Sequence, residues 1–149
     1  MKKFGIIISA LIIILCVTNA CTHNNGDIGF LFGQWRLHEI TSESAVEQCD
    51  TVFLAFQSNI VQLRKVIYSS YDYNLLTGLY ERQDNYMRFS FLNLNGADVL
   101  EEEQKTQLLS ELASLHIEET APLFQIIQLT RSQMILKYNQ YEYHLEKLQ

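Results

Sequence analysis

The chain has a single proline, six glycines, three cysteines and only 11 basic residues against 17 acidic ones. Each scarcity removes a class of protein. With Pro122 alone there is no proline-rich linker, and the chain holds no internal repeat and no low-complexity tract, so nothing divides it. The glycines form neither a phosphate-cradling loop nor the G-x-S-x-G turn that presents a nucleophilic serine. Histidines 23, 38, 116 and 144 do not cluster, and no H-x-H, H-E-x-x-H or C-x-x-C spacing exists to build a metal site. No cofactor, metal or catalytic group is therefore expected. The shortage of positive charge repels phosphate backbones and excludes nucleic acid as a partner.

Uninterrupted apolar sequence occurs once. Lys2 and Lys3 precede an uncharged run of 14 residues from Phe4 to Val17, followed by Thr18-Asn19-Ala20-Cys21. A spanning helix needs about 20 apolar residues, so the run reads as a signal peptide over residues 1–20. Ala20-Cys21 resembles a bacterial lipoprotein signal, in which the cysteine is acylated and becomes the first mature residue. Cys21 is thus the expected lipidation site and membrane anchor, several acyl chains holding far more firmly than one; ordinary signal-peptidase cleavage is the alternative. Residues 21–28 would form a polar tether containing Asn25-Gly26, and residues 29–149 one domain. The mature chain keeps nine basic residues against 17 acidic ones, a net charge of −8. Cys49 is left without a disulfide partner if Cys21 carries lipid, and nothing beside it in sequence would lower its pKa. Thr22-His23 carries no inner-membrane retention aspartate, which favours the outer membrane.

From residue 29 the pattern alternates with period two, as in half-buried strands. Leu31, Gly33, Trp35 and Leu37 share one face, with Gln34, Arg36 and His38 on the other. Residues 51–57 and 60–68 are rich in β-branched and aromatic residues and meet at Ser58-Asn59. Residues 71–74 should turn, and residues 75–82 and 86–92 repeat the hairpin, with Met87, Phe89 and Phe91 on one face. The period then becomes helical: Leu100, Gln104, Leu108, Leu112 and Leu115 form a stripe over residues 99–115, with Asp98 as N-cap and Glu101 spaced to pair with Lys105. Glu101, Glu102 and Glu103 fan around such a helix and cannot face each other as acid and base; they suit its positive end. Residues 123–129, 133–138 and 141–148 return to strands. The sequence thus predicts an all-β, antiparallel up-and-down barrel of about eight strands, with one short helix inserted before the last three.

Gly33-x-Trp35 near the mature N-terminus, the meander and the late hairpin resemble the lipocalin-like domains of the calycin group, found in small lipoproteins of Gram-negative bacteria. The resemblance covers residues 29–148. It implies that a basic residue from near the C-terminus lies over the tryptophan: Lys147, which shares a face with Tyr143 and Leu145, or failing that Arg131. Gly33, Trp35 and Lys147 would then form a barrel floor. Phe53, Tyr80, Phe89, Phe91, Tyr138 and Tyr143 would either fill a solid core or line an apolar cavity with tyrosine hydroxyls as polar handles. The implied function is non-catalytic binding of a small apolar or amphipathic ligand by a lipid-anchored envelope protein. The alternative is a solid module that docks on another envelope protein.

Overall fold

A computed structural model describes residues 28–99 and 101–149. The signal segment, Cys21, His23 and most of the tether lie outside the described residues, as does Leu100. A 3-10 turn, Gly29–Leu31, leads into ten strands: β1 Gly33–Thr41, β2 Val46–Gln48, β3 Val52–Gln57, β4 Ile60–Ile67, β5 Asp72–Gln83, β6 Tyr86–Leu94, β7 Ala97–Asp98, β8 Leu123–Leu129, β9 Gln133–Tyr138 and β10 Tyr141–Lys147. One α-helix, α1 Glu102–Ala113, falls between β7 and β8.

Eight strands form a closed antiparallel ring in the order β1, β3, β4, β5, β6, β8, β9, β10, and β10 returns to pair with β1. Closure leaves those strands without a free edge. The short β2 and β7 are additions to the ends of β1 and β6. Tight turns set the hairpins: Ser58, Asp84, Asn95 and Asn139 all have φ between 52° and 54°, the left-handed conformation that small polar turn residues tolerate.

Alternation places Trp35 and Leu37 inside, and Val52, Leu54 and Phe56 beside them on β3. Trp35 pairs with Leu54 on one side and Lys147 on the other. Three register shifts break the period: between Leu37 and Glu39, between Thr77 and Gly78, and between Ile126 and Gln128. The first turns Ile40 rather than Glu39 inward. The second leaves Leu92 unmatched on β6 and the third Ile127 on β8, and both side chains are exposed. Gly78 has no room for a side chain, because a Cβ there would stand 2.1 Å from Ser90 O.

Several expected boundaries move. The turn placed at residues 71–74 lies earlier, because β5 already begins at Asp72 opposite Ile67. Asp98 is not the helix N-cap: it pairs with Asn93 in β7, and Glu101, in extended conformation and without a side-chain capping bond, takes that position. Lys105 meets Glu102, 3.9 Å away, rather than Glu101. Phe53 is not an interior residue. It points outward beneath Arg64, whose guanidinium lies 5.2 Å from its ring centre, because Val52 and Leu54 take the inward parity on β3.

The segment after α1 is bound back to the ring. Val99 N–H donates to Leu92 O at 2.9 Å, while Phe91 N–H donates to Thr120 O at 2.9 Å and Phe89 N–H to Pro122 O at 3.0 Å. The excursion through α1 therefore leaves and rejoins β6 at neighbouring residues.

Candidate functional site

The site is the barrel interior with its two closed ends. At the end where β1 begins, the 3-10 turn aims two carbonyls at two donors. Trp35, fully buried, donates its indole N–H to Leu31 O at 2.9 Å, and Lys147 Nζ donates to Phe30 O at 2.7 Å. Lys147 Nζ lies 5.0 Å from the centre of the Trp35 ring, within range of a cation–π attraction. Burial lowers the lysine's pKa. Gly33 has φ +114°, and a Cβ there would approach Lys147 Cε to 3.2 Å. Gly33, Trp35 and Lys147 thus meet at one end. Arg131 lies outside that group, over the exposed Phe30 ring at 5.8 Å.

Above this floor runs a continuous aromatic stack. Phe56 meets Tyr80 edge-on at 5.4 Å between ring centres, Phe89 lies 4.9 Å from Phe124, and Phe124 lies 5.6 Å from both Tyr138 and Tyr143. The expected interior set divides here. Phe89, Phe91 and Tyr143 line a small enclosed void of about 20 Å³ whose walls expose no polar surface. Tyr80 and Tyr138 are buried but turn their hydroxyls elsewhere, to Ser58 O at 2.7 Å and to the Glu119 carboxylate at 3.3 Å. Burial raises the pKa of all three tyrosines. Leu115 and Ile117, absent from the expected set, line the void together with strand residues such as Leu37, Leu63 and Leu136. The signal for Leu115 was present, since it continues the helical stripe of Leu108 and Leu112, whereas Ile117 lies beyond that stripe; all four residues are buried.

Helix α1 ends in a left-handed terminus. His116 has φ +61°, its N–H bonds Ala113 O at 3.0 Å, and Ile117 N–H reaches back to Leu112 O at 3.1 Å. Glycine usually holds this position. The histidine instead uses its ring, which bonds Glu47 at 3.0 Å and stacks on Tyr141 with centres 4.3 Å apart. Lys65 bonds Ser114 at 2.8 Å and lies 3.7 Å from Glu111, while Asn74 bonds Glu111 at 2.9 Å. Inside, the Tyr143 hydroxyl donates to Leu115 O at 2.7 Å. Residues 102–117 are thus an apolar plug, seated by four leucine and isoleucine side chains and fastened around its rim by polar ones.

Nothing at the remaining candidates is arranged for turnover. His38 and His144 are half-buried on the outer face, His144 bonding Thr41 at 3.1 Å. Among the described residues no group of three metal-ligating side chains converges. Burial first, then the charges of Glu47 and Asp50, push the Cys49 thiol up, the wrong direction for a nucleophile. No helix among the described residues is long and apolar enough to cross a membrane.

A closed up-and-down barrel of eight strands, with a tryptophan and a cation at one end and an apolar interior, defines a lipocalin-type protein, a class suited to small apolar ligands. Residues 13–148 match the lipocalin-like domain family, and the chain belongs to it. Two solved structures share the fold. One is an uncharacterized protein from Bacteroides eggerthii DSM 20697, at TM-score 0.65 and 20% identity over 79% of this chain and 99% of that one. The other is a lipocalin-like protein from Bacteroides uniformis ATCC 8492, at TM-score 0.64 and 19% identity over 80% of this chain and all of the other. No curated protein matches the chain.

Proposed function

We propose that this is a lipid-anchored cell-envelope lipocalin, tethered through Cys21, most simply at the outer membrane, and that it holds a small apolar or amphipathic ligand without chemical turnover. The observation that carries the reading is the wholly apolar void enclosed between a built floor and a plug fastened by side chains. Ile28, the first described residue, directly precedes the 3-10 turn whose carbonyls hold Trp35 and Lys147 at the floor. A tether from Cys21 would turn the floor toward the membrane and the plug away from it. The test is a screen of lipids and metabolites read by Trp35 fluorescence and melting temperature, since a ligand that binds only the folded chain raises its stability. Quenching with a raised midpoint supports binding; neither response to any compound overturns it.

A second reading has one observation in its favour. The void of about 20 Å³ has room for roughly one water molecule, far below the roughly 300 Å³ of an ordinary ligand site. On that reading the barrel is a solid module that docks on another envelope protein. A partner that co-purifies with the anchored chain, and whose binding survives locking the plug shut, supports it.

A further inference from the structure

Among the described residues, Tyr143 is the single one on the wall of the void that carries a polar side-chain atom. Its hydroxyl is committed to Leu115 O, on the plug, through a buried bond of 2.7 Å. The other two buried tyrosines donate away from the void, to Ser58 O and Glu119, and no cation reaches the wall. Desolvation keeps the Tyr143 phenol protonated well beyond the ordinary tyrosine range, so it serves only as a neutral donor there.

The void admits nothing larger than water while Leu115 and Ile117 stay in place. A ligand that occupies the interior must lift them, and Leu115 O leaves with them. The Tyr143 O–H is then a buried donor without an acceptor, a condition that disfavours the complex unless the ligand supplies one. A carboxylate would be desolvated among hydrocarbon with one neutral donor for company, which penalises its charged form. We propose that Tyr143 is the specificity-determining donor of the interior: its hydroxyl passes from Leu115 O to a neutral carbonyl, ester or ether oxygen on an otherwise apolar ligand that displaces residues 115–117. This rests on the reading that the interior binds a ligand at all.

Calorimetric titration of the mature chain with undecane and with 2-undecanone tests it, since the two differ by one acceptor. The expected result is that the ketone binds about tenfold tighter, the ratio that one net hydrogen bond supplies. In Tyr143→Phe the preference reverses in favour of undecane, because the buried ketone carbonyl has no donor and the alkane no longer strands a hydroxyl, and in the native chain amide exchange at residues 115–117 quickens in the ketone complex. The carbon-13 resonance of the bound ketone carbonyl gives a second readout on the native chain, which stands even if Tyr143→Phe fails to fold: a hydrogen-bonded carbonyl shifts away from its position in hydrocarbon solvent. Equal affinities in the native chain, a ratio that survives Tyr143→Phe, or an unshifted carbonyl overturns the donor role and leaves the cavity reading standing. If neither probe binds the native chain or Leu115→Ala, which enlarges the void and leaves the Tyr143 side chain in place, the cavity reading itself is overturned.

Discussion

Gly33 and Lys147 share one corner of the floor because the first has no side chain to obstruct the second. An alanine at 33 would carry a Cβ 3.2 Å from Lys147 Cε on a backbone with φ +114°. Gly33→Ala is expected to cost about 1–3 kcal/mol from backbone strain, measured as a lower denaturant midpoint. Trp35→Ala should cost more, about 3–5 kcal/mol for a large buried ring, and its calorimetric melting temperature should fall accordingly. The buried tyrosines give the stability a pH dependence. Their pKa values are raised in the folded chain, Tyr143's most, so the unfolded chain releases those protons first. The stabilisation is complete below the unfolded value near pH 10 and is lost as pH rises above it. Denaturant midpoints at about pH 9 and about pH 11 should show the fall, with Tyr143→Phe flattening it. Trp35 and Lys147 were legible as neighbours only through the resemblance to lipocalin-like domains, with strand parity choosing Lys147 as the basic residue. Phe53 was not, because β3 carries aromatics at both parities, Phe53 and Phe56. Its inward side is decided by Leu54 pairing with Trp35, a contact between strands that composition does not encode.

At the scale of the element, the plug depends on a histidine in a glycine's place. His116→Gly removes the cost of a left-handed side chain, about 1–2 kcal/mol, and gives up the Glu47 bond and the Tyr141 stack, exposed contacts of comparable size. His116→Ala gives up the contacts and keeps the cost. The glycine variant should therefore melt within about 1 kcal/mol of the native chain and the alanine variant about 1–2 kcal/mol below it. Both should raise amide exchange in residues 102–117. The helix itself was readable, since Leu108, Leu112 and Leu115 keep the stripe that periodicity assigned. Its start was not. Asp98 is a good capping residue in isolation, but the pairing of β7 with β6 takes it first. The three register shifts were equally hidden. A single unmatched residue costs the alternation one step, and only the partner strand shows which residue was skipped.

For the whole molecule, the decisive pairing joins the ends of the sequence, Trp35 with Lys147. β10 pairs on both edges, with β1 and β9. Truncation after Gln140 would open the ring at two edges at once and expose the floor. Such a chain is expected to be insoluble or unfolded, as circular dichroism and gel filtration would show. Ring closure was foreseeable from the count of strands and their tight turns; the size of the void was not, since an eight-stranded barrel spans both solid and hollow interiors.

The neighbouring attachments of the plug to β6 carry a consequence for how the chain is assembled. Val99 joins at Leu92 and Thr120 at Phe91, so the intervening residues leave and return through one doorway. None of the eight ring pairings runs through them. The excursion is in effect a removable cassette. A short glycine-serine bridge from Val99 to Thr120 should yield an open-mouthed cup with the floor intact, and a longer or different cassette on the same doorway would give the same wall another stopper.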